Sequence, residues 1–288
     1  MHSKPKYINP FVDFGFKYLF GREESKPFLM DLLNVILSGD PGFSPIVKLD
    51  YLDKEMSRRD RNVRGVIYDI HCETSDGKRF NVEMQNQPQG YFFDRIIYYA
   101  SKGIVDQGKR GKGWKYEFLP VYCVSFMNFI MDGYEDRLRI DAALCDLKTG
   151  QLFSDKQRYI FIQTPLFDKK SDRECVTEFD QWMYNLINMP TMDTMAFIDQ
   201  KKLFDQFDKM ASYATLSEAD RIAYDADLKA YRDLRGQLEY AEEKGRREGE
   251  AKMIREMARQ GISLDMISQI AKMTVDKIKR IISTGNDA

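Results

Sequence analysis

The sequence predicts an α/β fold in which helices flank a mixed β-sheet, followed by a helical extension at the C-terminal end. Three observations support this prediction. The first 130 residues follow the order helix, three strands, helix, strand. Residues 68–85 form two strand-like runs around a turn, and a charged helical pattern with two short helices begins near residue 240.

The elements of the first half are predicted by spacing and by their stop signals. Leu, Met, Ile and Val recur at helical spacing over 28–37, and Ser, Gly, Asp and Pro end that helix. Residues 44–56 predict a strand, and 57–65 form a basic loop before the hairpin. A helical pattern over 94–107 then precedes the apolar run 118–131, which is long enough to be a buried central strand.

The second half is predicted to change from strands to helices. Residues 131–165 contain strand-like stretches, and 172–209 are predicted to be helical. The segment 240–261 is a charged helix whose charges form a solvated face. Two short helical patterns follow, with Ser263 and Thr274 at N-cap positions.

The register of the hairpin follows from its turn. Ser75-Asp76-Gly77 suits a three-residue loop closed by Gly77 in the left-handed conformation. One face then carries only apolar pairs: Cys72 with Phe80, Ile70 with Val82, and Tyr68 with Met84. The other face pairs Glu73 with Arg79, His71 with Asn81, and Asp69 with Glu83. A two-residue loop would mix the two faces, so the three-residue loop is predicted.

This register sets the carboxylate of Asp69 against that of Glu83. Like charges that face each other across strands destabilise the pair by about 0.2–1 kcal/mol. A divalent cation would offset this cost, because Mg²⁺ is held by one or two carboxylates together with carbonyls, water and phosphate. A solvated polar face is the alternative interpretation of the same two residues.

Composition excludes several function classes. The chain has 288 residues, 43% hydrophobic and 13% aromatic, enough for one large or two modest domains. A net charge of −1 is unlike a non-specific nucleic-acid binder, and only two histidines argue against a zinc hydrolase site. The four cysteines form no CxxC pair, and phosphate-binding loops and the serine-esterase elbow are missing from the sequence. With no signal segment and no membrane-length apolar run, we expect a soluble cytoplasmic protein.

The order of elements, with Asp69 followed by Glu83-Met84-Gln85, resembles the PD-(D/E)XK (restriction-endonuclease-like) phosphodiesterase superfamily. Within it, the chain looks like the Rpn family of recombination-promoting nucleases and transposases. The matching stretches are DFGFKYLFG, FLMDLLNVIL, NVEMQ and DRIIYYASK, followed by the strand 119–126. The resemblance is best over residues 8–130.

We expect three regions: a PD-(D/E)XK nuclease-like core over 1–170, a helical region packed on that core over 171–238, and a charged helix with a helix-turn-helix-like terminal pair over 239–288. The resemblance implies that Asp69 and Glu83 ligate Mg²⁺ or Mn²⁺, with the Met84 carbonyl as a further ligand. The ion would polarise the scissile phosphate and activate a water. Gln85 stands where the superfamily usually has Lys, and its amide can orient the water but cannot supply positive charge.

Further residues are candidates around this site, each with an alternative interpretation. Asp13 and Lys17 either reach the site or serve as a helix cap and a surface residue, and His71 is either a third ligand or a packed side chain. The basic loop either grips DNA phosphates or is merely solvated; its arginines are Arg58, Arg59, Arg61 and Arg64. The last helix carries Lys277, Lys279 and Arg280, and the terminal pair either contacts DNA or serves packing and dimerisation.

These observations predict a Mg²⁺-dependent DNA endonuclease that serves recombination or transposition. The alternatives are a non-catalytic DNA-binding or assembly module on the same fold, and a defence nuclease acting on foreign DNA. The expected partner is DNA, and we expect homo-oligomerisation through the C-terminal helices, since two copies cleave a duplex most simply.

Overall fold

The computed structural model describes residues 5–40, 43–52, 55–56, 66–109 and 113–284, with only the backbone described at 55–56 and 66–67. The chain divides into two compact units, residues 1–227 and residues 228–288.

The first unit contains eight strands and five complete α-helices in its described part. The strands are β1 (Leu49–Tyr51), β2 (Glu55–Met56), β3 (Val66–Ile67), β4 (Ile70–Thr74), β5 (Arg79–Gln85), β6 (Val121–Met127), β7 (Arg139–Cys145) and β8 (Leu152–Gln163). The helices are α1 (Asp13–Phe20), α2 (Lys26–Leu37), α3 (Phe92–Val105), α4 (Glu178–Asn188) and α5 (Lys202–Ala211). The long helix α6 (Glu218–Arg259) starts in this unit and ends in the next.

Six of the described strands form one mixed sheet in the order β1-β4-β5-β6-β8-β7. Strands β1, β4 and β5 are antiparallel neighbours, whereas β5, β6 and β8 run parallel. Strand β7 closes the other edge antiparallel to β8. The predicted α/β fold, a mixed sheet with flanking helices and a helical C-terminal region, is confirmed.

Helices cover both faces of the sheet. On one face, Phe92 and Ile96 of α3 pack with Cys123, Met127 and Phe161 of the parallel strands. On the other face, Phe16 of α1 lies 6.2 Å from Phe126, between ring centroids. Behind α1, Phe20 contacts Trp182 of α4, whose indole donates a hydrogen bond to Asp31 of α2. The sheet is therefore shielded from water on both sides near β5 and β6.

The predicted hairpin register is confirmed along the paired residues from Ile70 with Val82 to Glu73 with Arg79. Gly77 adopts a φ of +80°, and its amide donates to the Thr74 carbonyl. The structure departs from the prediction at Asp69, which lies in a bend just before β4. The predicted pairs of Asp69 with Glu83 and of Tyr68 with Met84 are therefore not part of the ladder, because the Asp69 side chain takes the Met84 amide that would continue the strand pairing.

The second unit is built from the end of α6 with α7 (Leu264–Ala271) and α8 (Val275–Ser283). Its small core joins Ile254, Ile267 and Ile278, one from each helix. The predicted N-cap Ser263 accepts from the Met266 amide, and Thr274 occupies the second N-cap position without a side-chain bond. The predicted terminal pair of helices is therefore present.

Helix α6 begins at Glu218, well before the start at residue 240 that the charged pattern predicts. Its first turns are held by contacts that sequence spacing does not reveal. Asp220 accepts from Arg22 at 2.6 Å, and the Tyr224 hydroxyl accepts from the Asn9 amide at 2.8 Å. Across the described residues, no helix is both long enough and apolar enough to cross a membrane.

The turn glycine supports a stability prediction. A Cβ at position 77 would lie 2.4 Å from the Leu119 side chain and would occupy the left-handed region. We expect Gly77→Ala to lower the free energy of unfolding by about 1–2 kcal/mol, measured by urea denaturation.

Gly90→Ala is the matched control. Gly90 is exposed, is not among the positive-φ glycines, and has open space around its Cβ position. Equal destabilisation by the two substitutions would contradict the assigned role of Gly77.

Candidate active site

The carboxylates of Asp69 and Glu83 lie side by side where β4 begins beside β5. The Asp69 backbone amide approaches Glu83 Oε1 at 3.5 Å. Asp69 Oδ2 accepts a hydrogen bond from the Met84 amide at 3.1 Å. The bend at Asp69 therefore orients its carboxylate towards β5, next to that of Glu83.

Both carboxylates are largely removed from water. Glu83 is 5% exposed, and the Asp69 side chain is 21% exposed. Burial raises the pKa of Glu83 well above its ordinary value, and the negative charge of Asp69 raises it further. Burial also raises the pKa of Asp69, although the Lys17 charge and the Met84 amide partly offset this effect.

Lys17 extends from α1 to the carboxylate pair. Its Nζ lies 3.5 Å from Asp69 Oδ1 and 2.7 Å from Asp13 Oδ1, one turn earlier on the same helix. The structure therefore brings Lys17 to the predicted site. Asp13 is the first residue of α1, is 61% exposed at its side chain, and connects to the site through Lys17.

Gln85 follows Glu83 by two residues on β5 and is 9% exposed. Its Oε1 accepts from Arg95 Nη2 at 2.6 Å. Its Nε2 donates to the Gln87 carbonyl at 2.9 Å. Protein groups therefore hold both ends of this amide.

His71 is buried beside the same strand pair. It is 3% exposed, pairs with Asn81 across the ladder, and contacts the Tyr68 ring at 4.5 Å between ring centroids, with the two rings tilted. In the described part of the chain, no three or more His, Cys, Asp or Glu side chains are grouped so that they could hold a metal ion. The two interpretations of His71, as a packed side chain or as a third ligand, both stay predictions.

The candidate DNA contacts are placed differently. The arginines Arg58, Arg59, Arg61 and Arg64 lie outside the described residues. The basic side chains of Lys277, Lys279 and Arg280 are exposed on α8 in the second unit.

Arg95 of α3 is the site residue that the sequence reasoning missed. It lies within the stretch DRIIYYASK, whose resemblance to the family assigns it no role. The available signal was its place on the helix: Phe92 and Tyr99, three residues before it and four after it, share its face. A charged residue among aromatic neighbours on an inward face indicates a specific partner.

The comparison with protein families agrees with this geometry. The model of a family described as PD-(D/E)XK nuclease family transposase matches residues 10–241. The chain belongs to this family. No curated protein and no solved structure matches it. Membership places the chain among nuclease-related transposases, and PD-(D/E)XK nucleases generally use divalent metal ions.

The raised pKa values predict how stability depends on pH when no metal is present. A carboxyl group whose pKa is higher in the folded than in the unfolded state stabilises the fold fully below the unfolded value, about 4. That contribution is lost as pH rises through the folded pKa. We therefore expect the free energy of unfolding of the wild type in EDTA to fall from pH 5 to pH 8, as measured by urea denaturation.

Two variants test whether the raised pKa values of Asp69 and Glu83 cause this pH dependence. Glu83→Gln cannot ionise and removes the repulsion with Asp69, so the fall should be shallower. Lys17→Gln removes the cation that offsets the burial of Asp69, so the fall should be steeper. Parallel curves for the wild type and both variants would refute the electrostatic description.

Proposed function

We propose that this protein is a metal-dependent DNA endonuclease that hydrolyses phosphodiester bonds in recombination or transposition. The observation that carries the proposal is the pairing of two acidic residues in a chain of the nuclease family: the Met84 amide orients the Asp69 carboxylate, and the Asp69 backbone amide contacts Glu83. Such a pair costs stability unless something binds to it.

The donor set fits a hard divalent cation. Within the described residues, no Lys or Arg nitrogen lies within 4.0 Å of the Glu83 carboxylate. Its charge therefore lacks a close partner when it is ionised, whereas Asp69 has Lys17. Two carboxylates with water, a backbone carbonyl and a substrate phosphate are the ligands that Mg²⁺ and Mn²⁺ accept. The Met84 carbonyl is the proposed backbone ligand.

Bound by Asp69 and Glu83, the ion would polarise the scissile phosphate and activate the attacking water. The protein groups have their own tasks in this proposal. The Met84 amide holds Asp69 in orientation, and Lys17 places a positive charge at the exposed side of the pair. Gln85 contributes an amide where a hydrogen bond to a water or a phosphate oxygen is needed.

In this proposal, further basic side chains bind the DNA backbone. We assign this role to Arg58, Arg59, Arg61 and Arg64 and, on the second unit, to Lys277, Lys279 and Arg280. Arg matches phosphate oxygens with two parallel hydrogen bonds, so these contacts position the duplex without reading its sequence.

Nicking of supercoiled plasmid tests the proposal directly. The wild type should nick in Mg²⁺ or Mn²⁺ and not in EDTA or Ca²⁺. Asp69→Asn and Glu83→Gln should each lower the rate by at least about 100-fold, because each removes a ligand charge while preserving shape.

Glu73→Gln is the matched control, since Glu73 lies on the same strand as the site but pairs with Arg79 at 2.8 Å. It should nick at the wild-type rate. Cleavage that survives both site variants would refute the assigned site. DNA binding without cleavage in any metal would favour the non-catalytic module.

Self-association is proposed through α6, whose Leu234 and Leu238 are 46% and 43% exposed and lie one turn apart. Covering such side chains in a second copy would bury apolar surface. Light scattering after size exclusion should give a dimer for the wild type and a monomer for Leu234→Gln combined with Leu238→Gln. A monomeric wild type would refute this proposal and leave the nuclease proposal intact.

A further inference from the structure

Gln85 raises a question of charge, because it is neutral at a position where this superfamily usually has a lysine. Arg95 of α3 brings a guanidinium to within 2.6 Å of the Gln85 side-chain oxygen. We propose that Arg95 and Gln85 act together as the replacement for that lysine, with Arg95 as a positioning residue that acts through the Gln85 amide. This inference rests on the proposed nuclease function.

The orientation of the amide follows from donor chemistry. Arginine can only donate hydrogen bonds, so the oxygen of Gln85 must face Arg95 and the NH₂ group must face away from it. One N–H of that group goes to the Gln87 carbonyl. No other bond from this group is found in the described part of the chain, so the second N–H remains to donate to a phosphate oxygen or a water.

The positive charge of Arg95 is not neutralised locally. No carboxylate oxygen lies within 4.0 Å of its guanidinium among the described residues. Its Nη1 donates to the neutral Gln89 side chain at 2.9 Å, and its buried Nε has no acceptor there. A structural arginine is normally paired with a carboxylate when it is removed from water. Here the charge is left to act on Gln85 and on the carboxylates beside it.

The surroundings of Arg95 hold the guanidinium in place. It lies 5.6 Å from the centroid of the Phe92 ring and 5.9 Å from that of Tyr99. Together with the bonds to Gln85 and Gln89, these aromatic contacts restrict its motion. A bond from a cation to the amide oxygen also polarises the amide, which makes its remaining N–H a stronger donor.

The arrangement explains why a lysine would not suit position 85 in this chain. A lysine ammonium at that position would meet the Arg95 guanidinium at close range, with like charges repelling in a partly buried site. A lysine at position 85 therefore requires a neutral side chain at position 95. This condition makes the inference testable by an exchange of the two side chains.

The experiment compares three full-length variants with the wild type: Arg95→Gln, the double variant Gln85→Lys with Arg95→Gln, and Lys102→Gln. Lys102 lies two turns further along α3, so its substitution removes one positive charge from the same helix as a control. For each protein, plasmid nicking in Mn²⁺, the dissociation constant for Mn²⁺ and the thermal unfolding midpoint are measured.

Arg95→Gln should nick about 100-fold more slowly than the wild type, the usual effect of losing one preorganised donor in a site. Its affinity for Mn²⁺ should be unchanged or higher, because removing the positive charge of Arg95 can only reduce the electrostatic repulsion of the metal ion. The double variant should recover at least about tenfold of the lost rate. Lys102→Gln should match the wild type.

Several outcomes would overturn the inference. One is nicking by Arg95→Gln at the wild-type rate, and another is an equal loss of rate and of Mn²⁺ affinity, which is the signature of a merely structural role. If Arg95→Gln does not fold, the double variant decides the question. A double variant that folds and cleaves supports the inference. A double variant that folds without cleaving, or that does not fold, overturns it. A wild type that binds Mn²⁺ but never nicks would instead refute the proposed function itself.

Discussion

The hydrogen bond from the Met84 amide to the Asp69 carboxylate orients that carboxylate beside Glu83 at the start of the β4–β5 pair. It replaces the backbone bond that would extend the ladder, and in doing so turns Asp69 towards Glu83. Helices on both faces of the sheet remove this pair from water, which raises the free energy of the charged forms. The fold therefore places two ionisable carboxyl groups in a largely buried part of the sheet, beside the buried polar side chains of His71, Asn81 and Gln85.

Two cationic side chains lie near these carboxyl groups, one from earlier in the chain and one from later in the chain. Lys17 comes from α1 and contacts Asp69, while Arg95 comes from α3 and contacts the side chain of Gln85. Neither lies within ion-pair distance of Glu83. Glu83, when ionised, is therefore without a close cation among the described residues, and this feature connects the fold to the proposed binding of a divalent ion.

The second unit obeys a simpler constraint. Its core is formed by Ile254, Ile267 and Ile278, so its three helices are held mainly by a few aliphatic contacts. The basic residues of α8 point to solvent because its apolar stripe is used for packing. The proposed roles in DNA contact and self-association therefore depend on exposed side chains that lie outside this small core.

Much of the fold and part of the site follow from the sequence because the signals are local. The two-residue period of the hairpin and the glycine of its turn determine the register, and with it the pairing that brings Asp69 near Glu83. Helical spacing and capping residues similarly determine the terminal pair of helices.

Only the tertiary structure decided which helix supplies each charge to the site. The pairing of Arg95 with Gln85 and of Lys17 with Asp69 depends on how α3 and α1 lie on the sheet. The start of α6 likewise depends on the pairing of Arg22 with Asp220, 198 residues apart. Sequence periodicity reports which face of an element is buried, but it carries no information about which distant side chain meets that face.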